Sequence, residues 1–269
     1  LVASTRAMRL AMDKAESTGV GLVTVRQSQH FGAAGAYAHM AAERNMIGIA
    51  MTGYFFQNGQ SRAVLPFGGR LPMLSTNPIA FACPCGDRPP FVLDMSTSVV
   101  PVNRLELMSE REVPIPSGWG LDAAGQPTTV PADFESVLPL GGMEQLGGHK
   151  GFGLAMMVQI LTSVLSAAWC QVAEPGDDKP VTMPDSVCAT GAGGKRQPLR
   201  PVEARGSMVL GDRPEPRYGF AQEGVGQFFA AIRISDFLPP DVFQHSLETL
   251  LRCINESPPA AGVDRVRVA

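Results

Sequence analysis

The sequence is short of several things that would advertise a function. Charged residues make up only 17% of its 269 positions and the formal net charge at pH 7 is −3. There is thus no basic excess with which to hold a nucleic acid or another polyanion. Cysteine is scarce: Cys83, Cys85, Cys170, Cys188 and Cys253 form an odd, scattered set. Such a set does not make a disulfide framework and suits a reducing compartment, so a cytoplasmic location is expected. Cys83-Pro84-Cys85 has the wrong spacing for a CxxC pair, and no second Cys/His pair stands nearby. Two strand cysteines are expected there, and no metal centre. No secretory leader opens the chain: it begins at Leu1, and Ser4 to Ser17 already reads as a helix. The expectation is therefore the interior of a longer protein. What is plentiful is apolar: 45% of the residues, with 29 Gly and 23 Pro, a globular composition with material for a sizeable core.

Ser4 can cap a helix that carries Ala7, Leu10, Ala11 and Ala15 on one face and ends at Gly19. Gly21 to Val25 reads as a strand, Arg26 to His30 as a loop, Ala33 to Asn45 as a helix, and Met46 to Met51 as a nearly all-apolar strand. Strand, helix and strand in this order predict an α/β unit with parallel pairing. Strands follow at 79–83 and 91–95 around a charged, Pro-rich turn, and 96–131 is predicted irregular. From Gly151 to Trp169 there are nineteen residues without a charge. That length would permit a membrane span. Gln159, Thr162, Ser163 and Ser166 favour instead a buried helix of an α/β domain, so no membrane association is expected. Residues 173–217 are crowded with Pro, Gly and both signs of charge, and read as an irregular or disordered insertion. A strand at 227–234 and a helix at 240–254, with Phe243, Leu247, Leu250, Leu251 and Ile254 on its apolar face, resume regular structure. The domain reading is one α/β cofactor-binding and catalytic domain from 1–172 and 218–262, the 173–217 insertion, and a truncated end at 263–269.

Three segments have the makings of chemistry. His30 lies between a strand end and a helix, where α/β sheets collect ligands and where an imidazole can exchange a proton near neutral pH; a structural histidine is the plainer reading. Ser75-Thr76-Asn77-Pro78 and Leu93-Asp94-Met95-Ser96-Thr97-Ser98 stand at strand edges with short hydroxyl and amide groups suited to ribose and pyrophosphate oxygens. Asp94, following an apolar strand, is predicted to receive several hydrogen bonds. Turn and capping chemistry would account for the same residues. Gly147-Gly148-His149-Lys150-Gly151-Phe152-Gly153 offers close backbone approach, helix-start N–H groups and a full charge to a phosphate or carboxylate. A glycine-rich helix entry with a solvated lysine is equally compatible. No GxGxxG opens a first strand-to-helix turn, and the Lys150 segment lacks Walker A spacing. A dinucleotide, if bound, is not held by the Rossmann fingerprint. His39 and His245 fall inside helices and read as surface or packing residues.

Taken together, QHFGAAGAYA (29–38), NMIGIAMT (45–52), PFGG (66–69), STNPIAFACP (75–84), FVLDMSTSVV (91–100), IPSGWGLDAAGQPTT (115–129) and LGGHKGFGLAMMVQILTSVLS (146–166) resemble the type 2 malate/L-lactate dehydrogenase family in order and spacing. Its relatives include ureidoglycolate dehydrogenase, sulfolactate dehydrogenase, diketogulonate reductase and cyclic-imine reductases. The resemblance implies an α/β fold with a mixed sheet and covering helices, binding NAD(P) without a Rossmann fold. It implies an NAD(P)-dependent 2-hydroxy-acid dehydrogenase, with NAD and NADP both open. Hydride would pass between nicotinamide and a small 2-hydroxy or 2-oxo acid; the alternatives are a cyclic-imine (piperideine/pyrroline-2-carboxylate) reductase and a truncated, non-catalytic member. His30 matches the histidine assigned as acid/base in ureidoglycolate dehydrogenase. Asp94, Met95, Ser96, Thr97 and Ser98 match its cofactor-contacting strand end, Thr76 and Asn77 the adjoining TNP turn, and His149 and Lys150 the HKG pair that contacts the cofactor. A homodimer with the site near the subunit contact is implied as well. The family's N-terminal helical segment, with an SHG…R motif whose arginine binds the substrate carboxylate, and its PGE-type C-terminal end have no counterpart in these residues. Arg62, Arg70 and Arg104 are candidates to substitute, and nothing in the sequence singles one out, so the substrate-binding residues are unassigned. Gly53-Tyr54 replaces the family's Asn and small residue, and Asn103-Arg104 its Gly-Lys.

Overall fold

The structure is a computed structural model that describes residues 1–56, 59–168 and 225–266. The predicted insertion at 173–217, Cys170, Cys188 and residues 267–269 lie outside the described residues.

Helix α1 (Val2–Thr18) buries Ser4, Ala7, Met8, Ala11, Met12 and Ala15, a stripe with one or two residues per turn. Gly19 closes it at φ 81, its N–H on the Ala15 carbonyl. Two details differ from expectation. Leu10 is half-exposed, because the stripe runs through the methionines. Ser4 does not cap: it lies one turn inside the helix, and its buried hydroxyl donates to Gln227 Oε1 at 2.9 Å.

The remaining elements are β1 (Val20–Ser28), α2 (Gly35–Ala42), β2 (Met46–Gly53), β3 (Ile79–Cys85), β4 (Arg88–Met95), α3 (Val102–Glu110), β5 (Gly120–Leu121), β6 (Ser136–Val137), α4 (Gly148–Gln159), β7 (Val225–Arg233) and α5 (Pro240–Asn255). Helix α4 runs on into a π-helical turn at Ile160–Val164. The α3 helix corrects the prediction that 96–131 is irregular throughout. Pro101 takes the extended conformation at its start, and Leu105 is its one buried residue, so the helix leaves little apolar periodicity to read.

Five strands form one sheet in the order β1-β7-β2-β3-β4, and every neighbouring pair is antiparallel. The α/β class with covering helices is as expected; the parallel pairing is not formed. Strands β1 and β2 do point the same way, but β7 lies between them and is hydrogen-bonded to both. The reason lies in the residues. Gly226 to Ala231 of β7 are all buried, which suits a strand covered on both faces, whereas β1 alternates buried and exposed and takes an edge.

Alternate residues of the strands feed two cores. On one face Ala50, Ala80, Ala82, Phe229 and Ala231 meet α1 and α2, with Phe31, Tyr37 and Phe229 in mutual ring contact. Helix α2 rests on bare strand backbone, since a Cβ at Gly48 would lie 2.3 Å from the Ala38 carbonyl oxygen. On the other face Met51, Phe228 and Ala230 meet Val158 of α4. A third cluster, from Val64 and Leu74 to Phe134 and Val137, fills the loop region beside the sheet.

The uncharged run from Gly151 is helical, yet it buries Gln159, Thr162 and Ser163 and leaves Leu154, Met157, Ile160, Val164 and Leu165 facing outward. Helix α5 has no fully buried residue; Leu250 and Ile254 of its predicted apolar face are exposed. Among the described residues no helix is long and apolar enough to cross a membrane.

Candidate functional site

The antiparallel register sets one end of the sheet apart. Ser28 stands opposite Val225, Gly53 opposite Gly226, and Ile79 opposite Met95. The chain therefore leaves β1, β2 and β4 at the same end at which it enters β3 and β7. His30, Thr76, Asn77 and Asp94 to Ser98 all lie on segments at that end.

These segments are locked together by buried amides and hydroxyls. Asn77 is fully buried; its Oδ1 accepts from the Ser75 hydroxyl at 2.7 Å and the Tyr54 N–H at 3.3 Å. Its Nδ2 donates to the Ala155 carbonyl and to Gln159 Oε1, both at 3.1 Å. Thr97, also buried, donates its hydroxyl to the Thr76 and Asn77 carbonyls, and Ser98 donates to the Val100 carbonyl at 2.8 Å. Every side-chain polar position of Asn77 is thereby occupied by protein. Asn77, Thr97 and Ser98 hold the strand ends in place, whereas the half-buried Thr76 and Ser96 remain at the surface of this lattice. Gln159 Nε2 is buried with no hydrogen-bond partner among the described residues.

Asp94 is exposed and accepts one hydrogen bond, from the Gly35 N–H at 2.7 Å, instead of the several predicted. The strand end turns it outward, so water solvates the rest of the carboxylate and no further donors are required. That bond puts a carboxylate at the start of α2, where helix N–H groups lack intrahelical partners. It also ties the β4 end to the loop carrying His30. The His30 ring is exposed, and its Nδ1 accepts from the Gly32 N–H at 3.3 Å. A nitrogen that accepts carries no proton, so the neutral ring holds its proton on Nε2.

The glycines at the start of α4 serve the protein's own backbone. A Cβ at Gly148 would meet the Gly142 carbonyl oxygen at 1.8 Å, and one at Gly151 would meet that of Leu140 at 2.0 Å. Leu140 in turn donates its N–H to the Thr97 carbonyl at 2.9 Å, so the helix start is fixed to the strand-end lattice. His149 and Lys150 are exposed there; the His149 ring meets Phe67 edge-on at 5.8 Å, and Lys150 makes no ion pair among the described residues. A free ammonium at a helix N-terminus suits a pyrophosphate, and the Thr76 and Ser96 hydroxyls suit a ribose. The donor set therefore fits a nicotinamide dinucleotide.

Of the three arginines, Arg62 pairs with Glu106 at 3.9 Å and lies over Phe134, and Arg104 lies over Trp119. Among the described residues Arg70 has neither kind of partner, and it lines a cavity of about 330 Å³ with Leu65, Leu71, Leu121 and Glu135. Cys83 and Cys85 are buried free thiols; burial, with Cys85 beside it, pushes the Cys83 thiol up to about 11. Among the described residues no three metal-binding side chains come together. Sequence reasoning places Ser75 in the strand-edge segment but does not find Gln227. It saw Gln159 only as an interruption of an apolar run, though a lone amide there was the available signal.

The sequence profile of the family described as Malate/L-lactate dehydrogenase matches residues 1–191. The chain is 49% identical over 169 residues to a malate dehydrogenase of Pyrococcus abyssi, covering 61% of this chain and 45% of that protein. Among solved structures it superposes on malate dehydrogenase from Pyrococcus horikoshii OT3 with a TM-score of 0.68 at 33% identity, over 99% of this chain and 61% of that one. It superposes likewise on sulfolactate dehydrogenase from Methanocaldococcus jannaschii, with a TM-score of 0.67 at 30% identity, over 98% and 62%. The chain spans about half the length of the curated relatives it matches.

Proposed function

The chain belongs to the malate/L-lactate dehydrogenase family, and on that premise we propose that it carries the nicotinamide-binding and proton-exchanging part of an oxidoreductase acting on small 2-hydroxy and 2-oxo acids. The observation that carries the reading is the Asp94–Gly35 bond, which joins the strand-end segment to the His30 loop at one end of the sheet. Bound NAD or NADP supplies or accepts the hydride. The protein's own tasks are then to bind, to orient and to move a proton.

Lys150, His149 and the α4 N-terminus hold the pyrophosphate, Thr76, Met95 and Ser96 line the nucleoside, and Asp94 sits at the boundary with the His30 loop. Asn77, Thr97 and Ser98 act through these neighbours by fixing the strand ends. His30 exchanges the carbinol proton at Nε2. Each such exchange passes through a ring protonated on Nδ1, which cannot also accept from the Gly32 N–H. That bond is a resting-state contact which opens during turnover, at a cost of about 1 kcal/mol for a long, exposed hydrogen bond. The working unit is a cytoplasmic homodimer; the outward-facing Leu154, Ile160, Val164 and Leu165 suit a subunit contact.

Titration of the chain with NADH and with NADPH, followed by nicotinamide fluorescence, tests the reading. Saturable binding is expected. It should weaken about tenfold or more in the His149→Ala/Lys150→Ala double variant, the loss of a charge-assisted hydrogen bond. A folded chain that binds neither cofactor overturns the proposal.

A further inference from the structure

The backbone leading into His30 is irregular, and the irregularity has a visible cause. The β1–β7 register breaks between Val25 and Ser28, and Gln27 inside the break takes φ 51. A glutamine adopts that left-handed conformation only where its surroundings impose it. Gln227 on the neighbouring β7 is fully buried, and its Nε2 donates to the Ser28 hydroxyl at 2.7 Å and to the Gln29 carbonyl at 3.1 Å. Its Oε1 accepts from Ser4 of α1, and the Gln29 carbonyl, which can only accept, settles which way round the amide sits. On the other side of His30 the Tyr37 hydroxyl donates to the Phe31 carbonyl, and Phe31 itself is buried among aromatic rings. The exposed imidazole is thus the middle residue of three, with the carbonyl on each side held by a buried donor.

We propose that Gln227 is the positioning residue of His30. Its carboxamide, oriented by the Gln29 carbonyl and braced by Ser4, holds the Ser28–Gln29 backbone so that the imidazole closes on the Gly32 N–H and keeps its neutral-state proton on Nε2. The inference rests on the reading of His30 as the proton carrier. Tyr37 supplies the other anchor as part of the aromatic core, so its loss would disturb the fold as a whole. Gln227 is the anchor that can be changed through hydrogen bonding alone. A satisfied buried amide is also a stiff fixture, since releasing either bond strands a polar group away from water.

The test is nitrogen NMR of the His30 ring in the ¹⁵N-labelled full chain, with the resonances identified by their absence in His30→Gln. The unaltered chain should show, for the neutral ring, one proton-bearing and one bare nitrogen. Gln227→Glu keeps the size and the acceptor for Ser4 but removes both donors. Gln227→Met removes all polar atoms. Both should move the two ring signals toward a common averaged position while far-ultraviolet circular dichroism stays that of a folded chain. A merely structural role would lower the melting temperature and leave the ring signals in place, and that result overturns the proposal. Should neither variant fold, the half-buried Ser28→Ala decides, because it removes one of the two anchoring bonds: unchanged His30 signals there count against Gln227, and partly averaged signals support it. The two proposals fail separately. Loss of the enzyme reading shows as no cofactor binding with the tautomer intact; loss of the positioning reading shows as cofactor binding with a tautomer indifferent to Gln227.

Discussion

Helices α1 and α4 lie against opposite faces of one sheet and sort their side chains in opposite ways. Along α1 the buried stripe is alanine and methionine, with Ser4 its one hydroxyl. Along α4 and its π-helical turn the buried set includes Gln159, Thr162 and Ser163, while Ile160, Val164 and Leu165 are 49–60% exposed. The difference follows from what each helix meets. Helix α1 crosses strand interiors whose backbone groups are already paired in the ladder. Helix α4 crosses the strand ends, where the ladder stops and peptide groups need other partners. Ser163 donates to the Gly53 carbonyl at 2.9 Å, and Asn77, held by Gln159, accepts from the Tyr54 N–H. Burial of polar side chains in α4 is thus the price of ending a sheet inside the protein.

Three substitutions sharpen or break this contrast, each read as a shift in chemical denaturation. Phe229→Ala, on the α1 face and fully buried between Phe31 and Tyr37, should cost about 4 kcal/mol through the cavity it leaves. A loss under about 1 kcal/mol would mean that this core is not close-packed. Asn77→Ala, on the polar side, strands the Tyr54 N–H and Gln159 Oε1 and removes the second hydrogen bond of the Ala155 carbonyl, and should cost about 3 kcal/mol. A negligible effect would show the lattice to be replaceable by water. Ile160→Lys, on the outer side of the π-helical turn, should change the stability of a single chain by less than about 0.5 kcal/mol. If a second copy covers that surface, the same substitution converts dimer to monomer in sedimentation, and the outer face of α4 is then a core shared between subunits.

Much of this fold is legible in the sequence. The strands β1 to β4 and β7 and the helices α1, α2 and α5 stand where apolar period and glycine stops place them, because those signals are local. Parallel pairing was the natural inference from strand, helix and strand, and only the position of β7, far along the chain, displaces it. Helix α3 escaped because one buried leucine makes no period. At the site, the short hydroxyl and amide residues around Thr76 and Thr97 were recognisable as a group. Which of them point inward depends on Gln159 and Gln227, brought in from distant positions, and no spacing within either segment carries that information. On sequence the α4 glycines suit either a ligand or a plain helix entry, and two of them are room for the Leu140–Gly142 backbone.

The place of β7 also has a consequence in time. Thr52 and Gly226 hydrogen-bond across 174 positions of sequence, and Val20 pairs with Ile232. As the chain is synthesised, β2, β3 and β4 can assemble as soon as they emerge, but among the described strands β1 has no neighbour and β2 keeps one open edge until β7 arrives. Closing so long a loop carries an entropic barrier that slows folding. An unpaired strand edge is meanwhile a template for pairing with another chain. Until β7 arrives the described strands are therefore a half-sheet with the lane between β1 and β2 unfilled, and a truncation before residue 225 leaves them in that state.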